Sequence, residues 1–279
     1  MIIKTARETA DGLLAKWRKR DIRLAEALYA LGLAALVAVG EVDEETVDLL
    51  LRMAFIAVKR VARPALVLSI LTVLRLLGEK APHIFVSLLA ATSEMEMLDQ
   101  ETVEYIYDAL QQLKDRLETE RLWPLVEAIR AYSNLLRTHS QHIKDRWEKA
   151  VEDMWQLYSK IRERCGEAAP EGRLSAQCLS AAIAWAYVLA AALHSDELAQ
   201  VVQKYLDDLI KEAEDMRNLL ETARPEELKR MMESDADFAE WVRAWSPAGD
   251  AGEVIKNLKT WFTHMLARRE LDHALDERG

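Results

Sequence analysis

Residues 25–40 read AEALYALGLAALVAVG, residues 64–78 read PALVLSILTVLRLLG, and a glutamate follows each stretch. Each stretch is apolar, is long enough for a buried helix, and ends in a glycine that can adopt the left-handed conformation after a helix C-cap. The two glycines, Gly40 and Gly78, lie 38 residues apart. A glycine-terminated buried helix that recurs at a fixed interval predicts a solenoid of stacked helical hairpins.

The helical pattern continues beyond these two stretches. Helix pairs are predicted to begin near residues 22, 64, 100 and 140, an interval of about 40 that is typical of the longer two-helix repeats. The nine glycines, the six prolines and the scarcity of alternating β-branched residues give strands little support, so the predicted fold class is all-α. We expect tetratricopeptide- or HEAT-like stacked hairpins followed by a less regular helical bundle.

One loop separates the two predicted regions. Residues 166–173 read GEAAPEGR, and Gly166 is predicted to end a long helix that begins near Ser140. The helical-repeat region is therefore predicted at 1–166 and the C-terminal helical region at 174–279, packed as one continuous domain. Apolar stripes at helical spacing mark the expected core of two intervening helices. They comprise Val103, Ile106, Tyr107, Leu110, Leu113 and Leu117 in one helix, and Leu125, Ile129, Tyr132, Leu135 and Leu136 in the next.

An uncharged stretch raises the question of a membrane span. From Leu174 to Ser195 there is no Asp, Glu, Lys or Arg, and about 20 apolar residues suffice to cross a bilayer. Polar residues and many alanines dilute its hydrophobicity, however, and Asp196 and Glu197 follow it without a basic flank. A buried central helix is therefore favoured over a transmembrane helix.

The net charge and the cysteine content indicate which class of partner and which cellular compartment to expect. The chain has 37 Lys and Arg against 47 Asp and Glu, a net charge of −10 that disfavours a nucleic-acid partner. Cys165 and Cys178 are the only cysteines and lack zinc-site spacing, which predicts two reduced thiols in a cytoplasmic protein. Three asparagines and a charged fraction of 30% are typical of a heat-adapted source.

Histidines offer two weak candidates for a metal site. His139, His142 and Asp145 have the spacing of one helical face, but His139 falls in a predicted turn, so solvent-exposed linker histidines are the favoured interpretation. Glu270 and His273 form a single Glu-x-x-His motif, whereas a di-iron bundle needs two such motifs and further glutamates.

Acidic residues offer one weak candidate for catalysis. Asp207, Asp208 and Glu212 resemble the paired acids that hold magnesium in all-α enzymes of isoprenoid chemistry, but the second acidic motif of those enzymes is missing. A solvated acidic helix face is the favoured interpretation. Since the sequence also has no glycine-rich phosphate loop, we predict no catalytic residues, no cofactor and no metal.

Two sets of residues are candidates for partner binding. Arg130, Asn134, Arg137 and Gln141 would line a solenoid groove that holds an acidic peptide, because guanidinium groups bind carboxylates bidentately. Trp241 and Trp245, four residues apart, would present an aromatic patch. A solvated helix face and packing into the core are the respective alternatives, and both are favoured over binding.

Four segments carry a resemblance to a known family. They are LAEALYALGLAALVAVG at 24–40, LWPLVEAIRAYSNLLR at 122–137, DFAEWVRAW at 237–245 and WFTHMLARRELDHALDERG at 261–279. In their residues and in their order along the chain, they resemble the tetratricopeptide-like helical-repeat region of large signal-transduction-type P-loop ATPases of hyperthermophilic archaea. The resemblance implies a repeat region without its ATPase part. The chain departs from the tetratricopeptide pattern in its interval, which is about 40 rather than about 34 residues, and in lacking that repeat's aromatic and alanine signature.

These patterns together predict a non-enzymatic helical-repeat module that binds a protein or peptide and forms the sensor or scaffold part of a larger ATPase. Further domains of the same polypeptide are then expected partners, whereas nucleic acid and membrane are not. The alternative is an all-α metal-dependent enzyme that uses the acids at 207–212. A third hypothesis is a homo-oligomer assembled through the tryptophan-rich C-terminal helices.

Overall fold

The computed structural model is described for part of the chain. The described residues are 67–68, 71–72, 75, 82–117, 122–168, 175–192, 196–234, 239 and 250–276. Within these ranges the structure contains eight α-helices, one 3-10 helix and no strand, which confirms the all-α class. The stretch ending at Gly40, and most of the stretch ending at Gly78, lie outside the described residues, so the repeat remains a prediction.

The helices follow the chain in short succession, and we number them α1 to α8. They are α1 Pro82–Ser93, α2 Gln100–Leu113, α3 Leu122–Thr138, the 3-10 helix Ser140–Arg146, α4 Trp147–Ala168, α5 Ala176–Ala192, α6 Asp196–Thr222, α7 Pro225–Ser234 and α8 Ala251–Asp276.

Two predicted helix limits are wrong. The helix predicted to begin near Ser140 begins at Trp147, because a 3-10 segment with non-helical Ile143 occupies the preceding residues. Gly166 does not end that helix, which continues to Ala168. Glycine inside a helix costs about 1 kcal/mol relative to alanine, so it weakens a helix without necessarily ending it.

The chain divides into two compact units, with boundaries after Leu117, after Arg137 and after Lys144. In the first unit α1 packs against α2. Asp99 caps α2 by accepting a hydrogen bond from the Thr102 amide at 2.9 Å, and the Tyr105 hydroxyl donates to the Leu71 carbonyl at 3.0 Å. All six residues of the predicted stripe are buried, although the last of them, Leu117, lies beyond the end of α2.

In the second unit α5 is the central helix and packs against α4, α6 and α8. Every side chain from Cys178 to Ala186 is at most 4% exposed, which confirms the predicted buried helix. Eight alanines in the helix let neighbouring helices approach its axis closely, while Trp185 supplies bulk by stacking on Phe262 of α8 at 5.0 Å between ring centroids. Among the helices described here, none is long and apolar enough to cross a membrane.

The two cysteines are joined, which corrects the prediction of two reduced thiols. Cys165, near the end of α4, forms a disulfide with Cys178 in the first turn of α5, and their Cα atoms lie 4.5 Å apart. Because α4 and α5 pack against each other as a hairpin, residues 13 apart in sequence meet at its closed end. Cysteine spacing alone contains no information about this hairpin geometry.

Candidate functional site

A cluster of polar side chains links α4 to α6 in the second unit. The Tyr158 hydroxyl donates a hydrogen bond to Glu212 Oε2 at 3.1 Å. The guanidinium of Arg162, one turn further along α4, forms an ion pair with the same oxygen atom. We call Tyr158, Arg162 and Glu212 the α4–α6 cluster. A single carboxylate thus receives a neutral and a charged donor from one helix face.

The α4–α6 cluster is only partly open to water. Tyr158 is 2% exposed, while the side chains of Arg162 and Glu212 are 32% and 24% exposed. Burial, and then the nearby Glu212 carboxylate, raise the pKa of Tyr158 well above its usual value. The phenol therefore remains protonated and serves as a hydrogen-bond donor rather than as a base.

Aromatic rings flank the α4–α6 cluster on the side towards the start of α4. Trp155 stacks on Tyr205 of α6 with 4.8 Å between ring centroids, and it lies 5.6 Å from the ring of Tyr158. Trp155, Tyr158 and Arg162 are spaced three and four residues apart, so they occupy one face of α4. This face combines aromatic and ionic contacts with α6.

The structure gives the acidic candidates different environments. Glu212 is bound to Arg162 and Tyr158, and Asp208 is exposed on α6. The Asp207 side chain is not among the described ones. Across the described residues, no group of three or more His, Cys, Asp or Glu side chains is placed to hold a metal ion. The contacts of Glu212 with Arg162 and Tyr158 join α6 to α4.

The two candidate histidines lie in different environments. His139 is only 4% exposed and its Nε2 atom lies 2.9 Å from the Met95 carbonyl oxygen, so the prediction of an exposed linker residue is wrong for His139. Burial lowers its pKa, and the hydrogen bond to Met95 opposes that effect in part. His142 is half-buried, with its ring centroid 6.4 Å from that of His139, and Asp145 is exposed.

The predicted binding residues on α3 differ in exposure. Arg130 is 15% exposed and forms a 2.7 Å ion pair with the buried carboxylate of Glu127, and Asn134 is 8% exposed. Arg137, in the last turn of α3, is exposed. Gln141 is also exposed but lies in the 3-10 segment beyond the helix. On this face of α3, Arg130 and Asn134 are therefore largely buried, and Arg137 is exposed.

Trp241 and Trp245 lie outside the described residues, as do the side chains of Glu270 and His273. The aromatic patch therefore remains a prediction.

The sequence patterns missed two features that the structure brings together, the α4–α6 cluster and the disulfide. A partial signal was present, because Tyr158, Arg162 and Cys165 lie three or four residues apart and so share a helix face. An arginine on an otherwise aromatic and apolar face indicates a buried partner. Its identity depends on which helix packs there.

Comparisons with protein-family models, with curated proteins and with solved structures give no match. The described residues define an all-α protein in which polar side chains of α4 and α6 join the two helices.

Proposed function

We propose that this chain is a non-enzymatic helical-repeat module that binds a protein or peptide. We further propose that it serves as the sensor or scaffold part of a larger cytoplasmic ATPase of a heat-adapted archaeon. The order of helix packing carries the proposal. Helices α4, α5 and α6 are consecutive, each packs on the next, and α4 also packs on α6. Packing between near neighbours in the chain is typical of helical-repeat proteins.

The buried polar contacts support a scaffold role. The Ser133 hydroxyl donates to the Tyr187 carbonyl at 2.8 Å and so links α3 to α5, as the α4–α6 cluster links α4 to α6. Such contacts hold helices in one relative arrangement. A preorganised surface loses less conformational entropy when it binds a partner, and it therefore binds more tightly for the same contacts.

Of the predicted binding residues on α3, only Arg137 is exposed. It is exposed at the end of α3, and a guanidinium binds a carboxylate through two parallel hydrogen bonds. We propose that an acidic peptide segment is bound there, and that Arg130 and Asn134 support the helix from its covered side. The tryptophan pair at 241 and 245 is proposed as a second, apolar contact.

Peptide binding tests this proposal. Fluorescence anisotropy measures the binding of labelled peptides to the purified chain. We expect fluorescein-labelled decaglutamate to bind with an affinity that depends on Arg137. We expect any binding of labelled decalysine to be independent of Arg137. Arg137→Glu places a like charge against the peptide and is expected to weaken decaglutamate binding about tenfold. Lys211→Glu makes the same charge change at an exposed site on α6 and should leave the affinity within about twofold.

Equal losses in the two variants, or no binding of decaglutamate, would refute the acidic-peptide site. ATP hydrolysis or tight Mg²⁺ uptake by the purified chain, if abolished by Asp208→Ala, would instead establish the metal-dependent enzyme.

A further inference from the structure

The two sulfur atoms of the disulfide lie in different electrostatic environments. Arg162 Nη1 lies 3.5 Å from Cys165 Sγ, while the same guanidinium pairs with Glu212 through its Nε atom. Cys178 Sγ instead lies 3.5 Å from the Cys165 carbonyl oxygen. One sulfur therefore has a cation beside it, and the other has the negative end of a carbonyl dipole.

This difference determines which sulfur better bears a negative charge. A nearby guanidinium stabilises a thiolate, whereas a carbonyl oxygen disfavours one. The first turn of α5 also places partial positive charge near Cys178, but the full charge of Arg162 lies in direct contact with Cys165 Sγ and has the larger effect. We propose that Cys165 and Cys178 form a redox couple in which reduction releases Cys165 as a thiolate against Arg162. We further propose that this weakens the Arg162–Glu212 ion pair between α4 and α6. The proposal does not depend on the acidic-peptide site.

The reductant is a dithiol, and the exchange balances in two steps. One thiolate of the dithiol attacks Cys178 Sγ, forms a mixed disulfide there and displaces Cys165 as the leaving thiolate, because the more stable thiolate leaves faster. The second thiol of the dithiol then attacks the mixed disulfide. This attack is on the reductant's own sulfur atom in the mixed disulfide. It releases Cys178, which takes a proton, and the reductant leaves as a cyclic disulfide. Two electrons pass to the cysteines, and the second proton of the dithiol goes to solvent.

Reduction changes the charge around Arg162. In the disulfide form the guanidinium pairs with Glu212 and interacts at longer range with Asp215, both on α6. Reduction adds a further anion, the Cys165 thiolate on its own helix. Two anions that compete for one cation at a partly buried site each interact with it less favourably than one alone. The redox state of the α4–α5 connection is thereby coupled to the packing of α6.

Alkylation of the wild-type chain tests the proposal without a destabilising mutation. The protein is equilibrated with mixtures of reduced and oxidised dithiothreitol, pulsed with iodoacetamide at a series of pH values, and analysed by peptide mass spectrometry. The midpoint pH of alkylation reports thiolate formation separately from the access of the reagent. We expect a lower midpoint for Cys165 than for Cys178.

Glu212→Gln adds a second readout. It removes the competing anion, so Arg162 stabilises the Cys165 thiolate more strongly. At a fixed dithiothreitol ratio we expect the ratio of reduced to oxidised protein to rise about threefold or more. Glu214→Gln, an exposed charge change two residues away on α6, serves as the matched control and is expected to leave that ratio unchanged.

Three results would overturn the proposal. They are a disulfide that remains oxidised at equilibrium with excess dithiothreitol, a Cys165 midpoint equal to or above that of Cys178, and an equal shift in Glu212→Gln and Glu214→Gln.

Discussion

His139 shows how one buried side chain links the stability of this protein to pH. Its Nε2 atom lies 2.9 Å from the Met95 carbonyl oxygen, and burial lowers its pKa. The folded state therefore favours the neutral ring, while the unfolded chain takes up a proton at the usual pKa of about 6.5. As the pH falls below that value the unfolded state binds more protons, so the free energy of unfolding decreases until the folded-state pKa is passed.

The His139→Gln variant tests this link. We expect its free energy of unfolding in urea to change less than that of the wild type between about pH 7.5 and about pH 5.5. Gln141→Ala, an exposed change two residues away that removes no titratable group, should keep the dependence of the wild type. If all three proteins lose the same stability, His139 is not the group responsible.

The residue scale is also where the sequence patterns were least informative. Glu212 is predicted to belong to a solvated acidic helix face, yet it is ion-paired, and its partners Tyr158 and Arg162 lie 54 and 50 residues away in the chain. Helical spacing shows which residues share a face. It does not show which face of another helix they will contact.

At the scale of the elements, α8 packs on the central helix α5 through an aromatic contact. Phe262 is fully buried and stacks on Trp185, which is also fully buried. We expect Phe262→Ala to lower the free energy of unfolding by about 3–5 kcal/mol, because it removes buried apolar area and leaves a cavity beside the indole. Chemical denaturation followed by circular dichroism measures this change.

Thr263→Ala is the matched control, since Thr263 is the exposed neighbour on the same helix and the change should cost less than about 0.5 kcal/mol. Similar losses in both variants would mean that α8 contributes through its helicity and not through the aromatic contact.

Most of these elements could be predicted from local sequence. The limits of α6 agree with its local sequence, because the acidic residues Asp196 and Glu197 begin it and Pro225 follows its end. The end of α4 was not predicted, because Gly166 stands directly after a cysteine bonded to α5. Glycine disfavours a helix, yet α4 continues through Gly166, next to the cysteine that the disulfide joins to α5.

At the scale of the whole molecule, the disulfide closes the α4–α5 hairpin within the second compact unit. Closing a loop of about 15 residues restricts the unfolded chain and is worth about 3 kcal/mol. We expect the Cys165→Ser, Cys178→Ser double variant to lose about 2–4 kcal/mol of unfolding free energy relative to the oxidised wild type.

Hydrogen exchange locates the effect of the double variant. Amide protection should fall in α4 and α5 and persist in α1 and α2, which belong to the first unit. The reduced wild type is the control for the serine substitutions, because it lacks the bond but keeps both cysteines. Unchanged stability of the double variant would show that helix packing alone holds the hairpin closed.

The sequence by itself determined the all-α class, the positions of most described helices, and the burial of α5 and of the apolar stripes on α2 and α3. These properties follow from residues within a few turns of one another, so periodicity and helix-terminating residues are sufficient. The tertiary structure decided the disulfide, the α4–α6 cluster, the burial of His139 against Met95 and the covering of Asn134. Those contacts join residues from 13 to 54 positions apart, and they form only because particular helix faces pack together.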